Sequence, residues 1–190
     1  MNASPPLSAA RSRARQIAFV VAGSALLALG AQVSIPMPLG MPPVTGQTFA
    51  LALVVALLGA RGALLAAILY LAEGAIGLPV FSPHGAPGIA RFFGPTAGYL
   101  LAFPLAAYVT GTLFDRGLWS SYTGRLVAIV LGSAVVFLGG AAWLAHFVGG
   151  FGKALVVGVA PYLLGDAVKT IVAAGVAPWV RSAGDPSVRL

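Results

Sequence analysis

Apolar positions along this chain fall into long blocks, and the polar positions are pushed into the short connections between them. Several blocks approach the ~20 residues that an α-helix needs to cross a hydrocarbon core about 30 Å thick. The pattern predicts six helical spans, at about residues 17–35, 47–60, 62–79, 94–114, 124–146 and 154–180. Residues 1–16 are polar, basic and rich in Pro and Ser, and predict a tail; residues 181–190 predict a second one. Between the tails, 17–180 read as a single transmembrane domain. Only Ala60, Arg61 and Gly62 separate the second block from the third, so these two are expected to form a tight helical hairpin. The second block is too short to cross a bilayer by itself.

Two connections differ from ordinary linkers. Residues 35–48, IPMPLGMPPVTGQT, contain Pro36, Pro38, Pro42 and Pro43. Residues 78–95, LPVFSPHGAPGIARFFGP, contain Pro79, Pro83, Pro87 and Pro95. Proline withholds a backbone donor and pushes the preceding residue toward extended conformations. Both stretches nevertheless keep apolar and aromatic residues, as loops do when they cover or line a site.

Composition narrows the class. The chain has 190 residues, 59% hydrophobic and 8% charged, with a mean hydropathy of +0.96. Soluble domains carry roughly 25% charged residues, so this is an all-α integral membrane protein. There is no cysteine, which excludes disulfides, thiolate metal sites and thiol nucleophiles. The net charge of +7 does not indicate nucleic-acid binding, because the basic residues are scattered between apolar blocks instead of forming one arm. They read as topology signals. With the N-terminus inside, Arg11, Arg13, Arg15, Arg61, Arg116, Arg125, Arg181 and Arg189 fall on the cytoplasmic side. Only Arg91 and Lys153 fall outside, and Lys169 lies within a span. That bias follows the preference of basic residues for the cytoplasm and puts both termini inside, with both Pro-rich loops over the outer end. The first block after Arg15 also has the form of a signal peptide; its removal would place the two ends on opposite sides.

Polar groups within the spans are the candidates for chemistry. In PYLLGDAVKTIVAAG, residues 161–175, Asp166 and Lys169 stand three apart and share a helix face. A charge near the bilayer centre costs at least ~2.5–3.5 kcal/mol, so such residues are functional candidates. Asp166 could accept N–H groups and Lys169 could donate to a carbonyl or carboxylate oxygen; mutual neutralisation is the plainer alternative. Pro161 can loosen the backbone just before Asp166. Arg91 is expected outside and could grip a carboxylate bidentately, or else meet lipid headgroups. Thr45, Gln47, Thr48, Ser82 and Tyr162 are candidate liners of an outer cavity. Glu73 is a candidate proton site, a partner for Arg91, or an acid reaching for the outer interface. His84 and His146 stand alone, so no metal is assigned. Ala14, Ala18 and Ala22 make a small-residue stripe that permits close approach of another helix, within the chain or from a separate protein. GGFGKA at 149–154 lacks the earlier glycine and the Ser/Thr of a phosphate-binding loop, and neither H-E-x-x-H nor G-x-S-x-G occurs. An ATPase is excluded.

Three segments together carry a resemblance: IPMPLGMPPVTGQTFALALVVALLG, LYLAEGAIGLPVFSPHGAPGIARFFGPTAGYLLAFPLAA, and PYLLGDAVKTIVAA. From about residue 17 to 180 the chain resembles the BioY family, the biotin-specific S components of energy-coupling-factor (ECF) vitamin transporters. The resemblance implies a six-transmembrane-helix bundle of the S-component type in the bacterial cytoplasmic (inner) membrane, both termini cytoplasmic. It implies biotin bound near the outer face with Asp166, Lys169 and Arg91 in contact, Asp166 on the ureido N–H groups and a cation on the carboxylate. Ala18 and Ala22 would contact a transmembrane coupling protein that acts with two ABC-type ATPases. Membrane lipid surrounds the bundle, a homo-oligomer is compatible with it, and no cofactor, nucleic acid or catalytic residue is expected. Gly46 departs from the family pattern, which has a larger apolar residue there. The alternatives are an S component for another vitamin such as thiamine or riboflavin, a self-sufficient proton-coupled carrier, and a small membrane enzyme using Asp166 or Glu73 as acid or base.

Overall fold

The structure, a computed structural model, describes residues 7–37 and 41–183. It is mostly helical. Helix α1 covers Leu7–Gln32, and α2 covers Gln47–Ala75. The short α3, Ala97–Leu101, runs into α4, Phe103–Leu113. Helix α5 is Tyr122–Val148, α6 is Phe151–Gly158 and α7 is Leu163–Ala183. Among the described residues, five helical runs are long and apolar enough to cross a membrane: Arg13–Gln32, Gln47–Ala75, Ala97–Leu118, Tyr122–Val148 and Phe151–Ser182.

The run Gln47–Ala75 is not a straight rod. Gly59 leaves the helical region with φ 71° and ψ −173°, a conformation open in practice only to glycine. Gln47 Nε2 donates to the Tyr70 hydroxyl at 2.7 Å. In a continuous helix, residues 23 apart are separated by about 35 Å. The chain therefore doubles back at Gly59 into two antiparallel arms. The reversal falls one residue before the expected Ala60–Gly62 separator.

Other boundaries shift for identifiable reasons. Helix α1 begins at Leu7, ten residues before the expected start at 17, because Ala, Arg and Gln are good helix formers even outside an apolar block. Of the expected tails, residues 1–6 and 184–190 lie outside the described residues, as does Arg189. The fourth block is split at Ala102, just ahead of Pro104. The sixth is split between α6 and α7 by a 3₁₀ turn, Ala160–Tyr162, containing Pro161.

Without a hydrophobic force between helices in lipid, association rests on close packing. The interior is accordingly rich in small residues: Ala63, Ala66, Ala67, Ala106, Ala107, Ala128, Ala173 and Ala174 are essentially unexposed. Larger side chains such as Leu27, Val54, Leu58, Tyr70 and Phe103 fill the spaces between them. Large apolar residues also point outward on every long helix, among them Val21, Leu65, Leu105, Val130 and Val172. A water-soluble surface would not carry so many; a lipid-facing one does.

At one end of the bundle, the first Pro-rich connection starts and finishes as a two-stranded ribbon. Strand β1, Ser34–Ile35, pairs antiparallel with β2, Val44–Thr45, with Ser34 opposite Thr45. Gly46 N–H donates to the Val33 carbonyl at 2.9 Å. A Cβ at Gly46 would lie 3.0 Å from the Gly30 carbonyl oxygen, so the departure at 46 matches a tight approach of the ribbon to α1.

Candidate functional site

Beneath the two Pro-rich connections lies a cavity with about 90 Å³ of room for water centres. One water needs ~10–15 Å³ by that measure, so the space suits a small organic molecule. Its wall draws on Pro42–Thr45 of the first loop, Gln47 and Thr48 of α2, Phe81, Ser82 and Arg91 of the second loop, and Tyr99 and Phe103 of α3–α4. Tyr162 and Lys169 complete it from the broken α6–α7 segment. Most of this lining is apolar or aromatic, with a few convergent polar groups, as small-molecule sites generally are.

One end is polar because the α6–α7 break aims Lys169 at the start of α2. Lys169 Nζ donates to the Thr48 hydroxyl at 2.8 Å and to the Thr45 carbonyl at 3.0 Å. The Thr48 hydroxyl donates in turn to Asp166 Oδ1 at 2.8 Å. Asp166 and Lys169 are themselves 3.7 Å apart. Lys169 reaches the cavity wall, whereas Asp166 stands behind it as the anchor of Thr48 and Lys169. Tyr162 donates its hydroxyl hydrogen to the Pro42 carbonyl, tying the break to the first loop.

Another part of the wall holds Arg91, carried on a 3₁₀ turn, Gly88–Phe93. Its guanidinium donates to the His84 carbonyl at 2.6 Å and to the Ser82 carbonyl, and it lies 5.8 Å from the centre of the Phe81 ring. The residue is 6% exposed, and Nε is buried without a hydrogen-bond partner among the described residues. Burial lowers its pKa, an effect opposed by the nearby Tyr70 hydroxyl; a guanidinium still stays charged at neutral pH. The Asp166 carboxylate pairs with Lys169. Arg91 thus brings a buried positive charge to the wall, with no carboxylate partner among the described residues.

The structure brings together six of the seven expected site residues on one wall: Thr45, Gln47, Ser82, Arg91, Tyr162 and Lys169, with Asp166 immediately behind. Other candidates go elsewhere. Glu73 accepts a hydrogen bond from the Ser24 hydroxyl, and Arg91 turns to backbone carbonyls instead. His84 contributes its carbonyl to Arg91, and His146 Nδ1 sits 3.1 Å from the Trp143 carbonyl. Ala18 and Ala22 are exposed on α1. Sequence reasoning missed Phe81, Tyr99, Phe103 and Tyr70. Aromatic residues in apolar blocks give no signal of their own, because packing and lining positions look alike in one dimension.

The chain is similar to several known proteins. The family model described as the BioY family matches residues 2–185. A Lactococcus lactis protein described as biotin transporter BioY2 is 38% identical over 156 residues, 77% of this chain and 83% of its own. The Thermotoga maritima protein described as biotin transporter BioY is 37% identical over 154 residues, 81% of this chain and 88% of its own. In three dimensions the chain is similar to the S-component for biotin from an ECF-type ABC transporter. The TM-score is 0.81 at 23% identity, covering 92% of this chain and 94% of that one.

Proposed function

The chain belongs to the BioY family, and from that premise we propose that it takes biotin into the cell across the cytoplasmic membrane. The observation that carries this reading is the charge pattern of the cavity: a buried Arg91 with no carboxylate partner among the described residues, and, apart from it, the Lys169–Thr48–Asp166 cluster. Biotin is a monoanion with a urea at the far end from its carboxylate. Its carboxylate neutralises Arg91 and can take a bidentate pair of N–H bonds. The ureido carbonyl accepts from Lys169. Asp166 takes the ureido N–H groups, exchanging its bond to the Thr48 hydroxyl for one to the ligand. The aromatic wall covers the apolar ring and the hydrocarbon tail.

Counting the two arms of α2 separately gives six crossings, with both termini in the cytoplasm and the cavity at the outer end. Positive charge supports that orientation: Arg61, Arg116, Arg125 and Arg181 then lie inside, and Arg91 and Lys153 outside. The two Pro-rich loops cap the ligand. Re-orientation is driven from outside the chain, by a transmembrane coupling protein and two ATPases. The exposed Ala18 and Ala22 of α1 are the docking face.

Radiolabelled biotin binding to membranes containing the full chain tests the reading. Saturable binding should be displaced by unlabelled biotin and not by thiamine or riboflavin. Displacement by another vitamin would change the substrate. Recovery of chemically altered biotin would favour the enzyme reading. Uptake abolished by collapsing the proton gradient, in cells without the coupling ATPases, would favour a self-sufficient carrier.

A further inference from the structure

Tyr70 has none of the roles described so far. It is fully buried on the second arm of α2, behind the cavity and not in its wall. Three wall residues nevertheless rest on it. The Phe81 ring meets it edge-on at 5.4 Å, and the Phe103 ring stacks on it at 6.4 Å. The third is Gln47, whose Nε2 donates to the Tyr70 hydroxyl at 2.7 Å. From the other side, the Thr45 hydroxyl donates to Gln47 Oε1 at 3.0 Å.

A primary amide offers two N–H donors and one carbonyl oxygen. Its terminal torsion is broad and roughly two-fold, so an unrestrained glutamine can turn over and present acceptor in place of donor. Here both ends are held. The Thr45 hydroxyl oxygen also accepts from the Gln47 backbone N–H at 3.5 Å while its hydrogen goes to the amide carbonyl. The carbonyl is engaged by Thr45, one N–H by Tyr70, and the second N–H is the donor that remains.

We propose that Tyr70 is a positioning residue that, together with Thr45, locks the Gln47 amide so that it offers an N–H donor to the ligand. The lock selects ligands with an acceptor at this end of the cavity. The inference rests on the biotin reading of the site, in which Gln47 shares the Thr45–Thr48–Lys169 end with the ureido ring. The acceptor is then the ureido carbonyl oxygen. An analogue with a donor in its place, 2-iminobiotin, is the ligand that the lock disfavours.

The test measures biotin and 2-iminobiotin affinities of the purified full chain and its variants by calorimetry. Tyr70→Phe keeps the ring and removes only the hydroxyl. It should weaken biotin about three- to tenfold, the share of one neutral hydrogen bond, and leave 2-iminobiotin unchanged, so that the selectivity ratio falls by the same factor. Thr45→Val, which releases the other end of the amide, should lower the ratio in the same way. It decides the question alone should Tyr70→Phe fail to fold. Adding Tyr70→Phe to Gln47→Ala should cost nothing further, since contacting residues that act as a unit are non-additive. Equal weakening of both ligands, an unchanged ratio, or additive losses would each overturn the inference. A wild-type chain that binds no biotin removes the underlying reading and this inference with it. A wild-type chain that binds biotin, beside variants of unchanged ratio, overturns this inference alone.

Discussion

Arg91→Met separates two jobs that the wild-type side chain performs together. The guanidinium holds the second Pro-rich loop through the Ser82 and His84 carbonyls, and it supplies the positive charge that lacks a carboxylate partner among the described residues. Methionine fills similar space in the aromatic wall and keeps neither function. A hydrogen bond to a charged group contributes about 1.5–3 kcal/mol, and each 1.4 kcal/mol is tenfold in Kd. Loss of the carboxylate contact should therefore weaken biotin by roughly 10- to 150-fold. Loss of the loop tethers should lower affinity for any ligand in the cavity. Biotin methyl ester, which has no carboxylate, distinguishes the two effects. Wild-type protein should prefer biotin to its ester by about the factor above, and the preference should vanish in Arg91→Met, the ester losing only the loop-tether share that the acid loses as well. Equilibrium binding to detergent-solubilised protein at fixed ionic strength reads both numbers. If the variant weakens acid and ester by the same factor, Arg91 only braces the loop, and the charge argument for the ligand's orientation is wrong.

Three further predictions address other parts of the molecule. Asp166→Asn removes the negative charge 3.7 Å from Lys169 and weakens the anchor of Thr48; biotin affinity should fall at least tenfold with membrane insertion intact, and an unchanged Kd would take Asp166 out of the site. Ala22→Trp should leave the Kd for biotin alone and abolish co-purification with the coupling protein, so normal recovery of the complex would dismiss the α1 face as the dock. Gly59→Ala forces a side chain into φ 71°, ψ −173° at a cost of about 1–3 kcal/mol. A melting temperature in detergent lower by several degrees is expected, and an unaltered one would count against the reversal in α2.

From the sequence alone, the membrane class, the approximate spans and the short list of polar residues were all legible. The reason is local: bilayer thickness sets the length of an apolar block, and the cost of burying charge makes Asp166, Lys169 and Arg91 conspicuous wherever they end up. The hairpin was legible too, from three residues between two blocks. Pairings across the fold were not. The bonds joining Thr48 to Asp166, Tyr162 to Pro42 and Lys169 to Thr45 link residues 118 to 124 positions apart, and no spacing rule reaches that far. Only the packed bundle determined that Glu73 turns to Ser24 while Arg91 bonds backbone carbonyls and meets no carboxylate among the described residues. It also determined that Asp166 stands one layer behind the wall, and that Tyr70, one tyrosine among many apolar neighbours, props the wall from the rear. In one dimension a buried aromatic and a lining aromatic read the same; burial and contact are properties of the assembled fold.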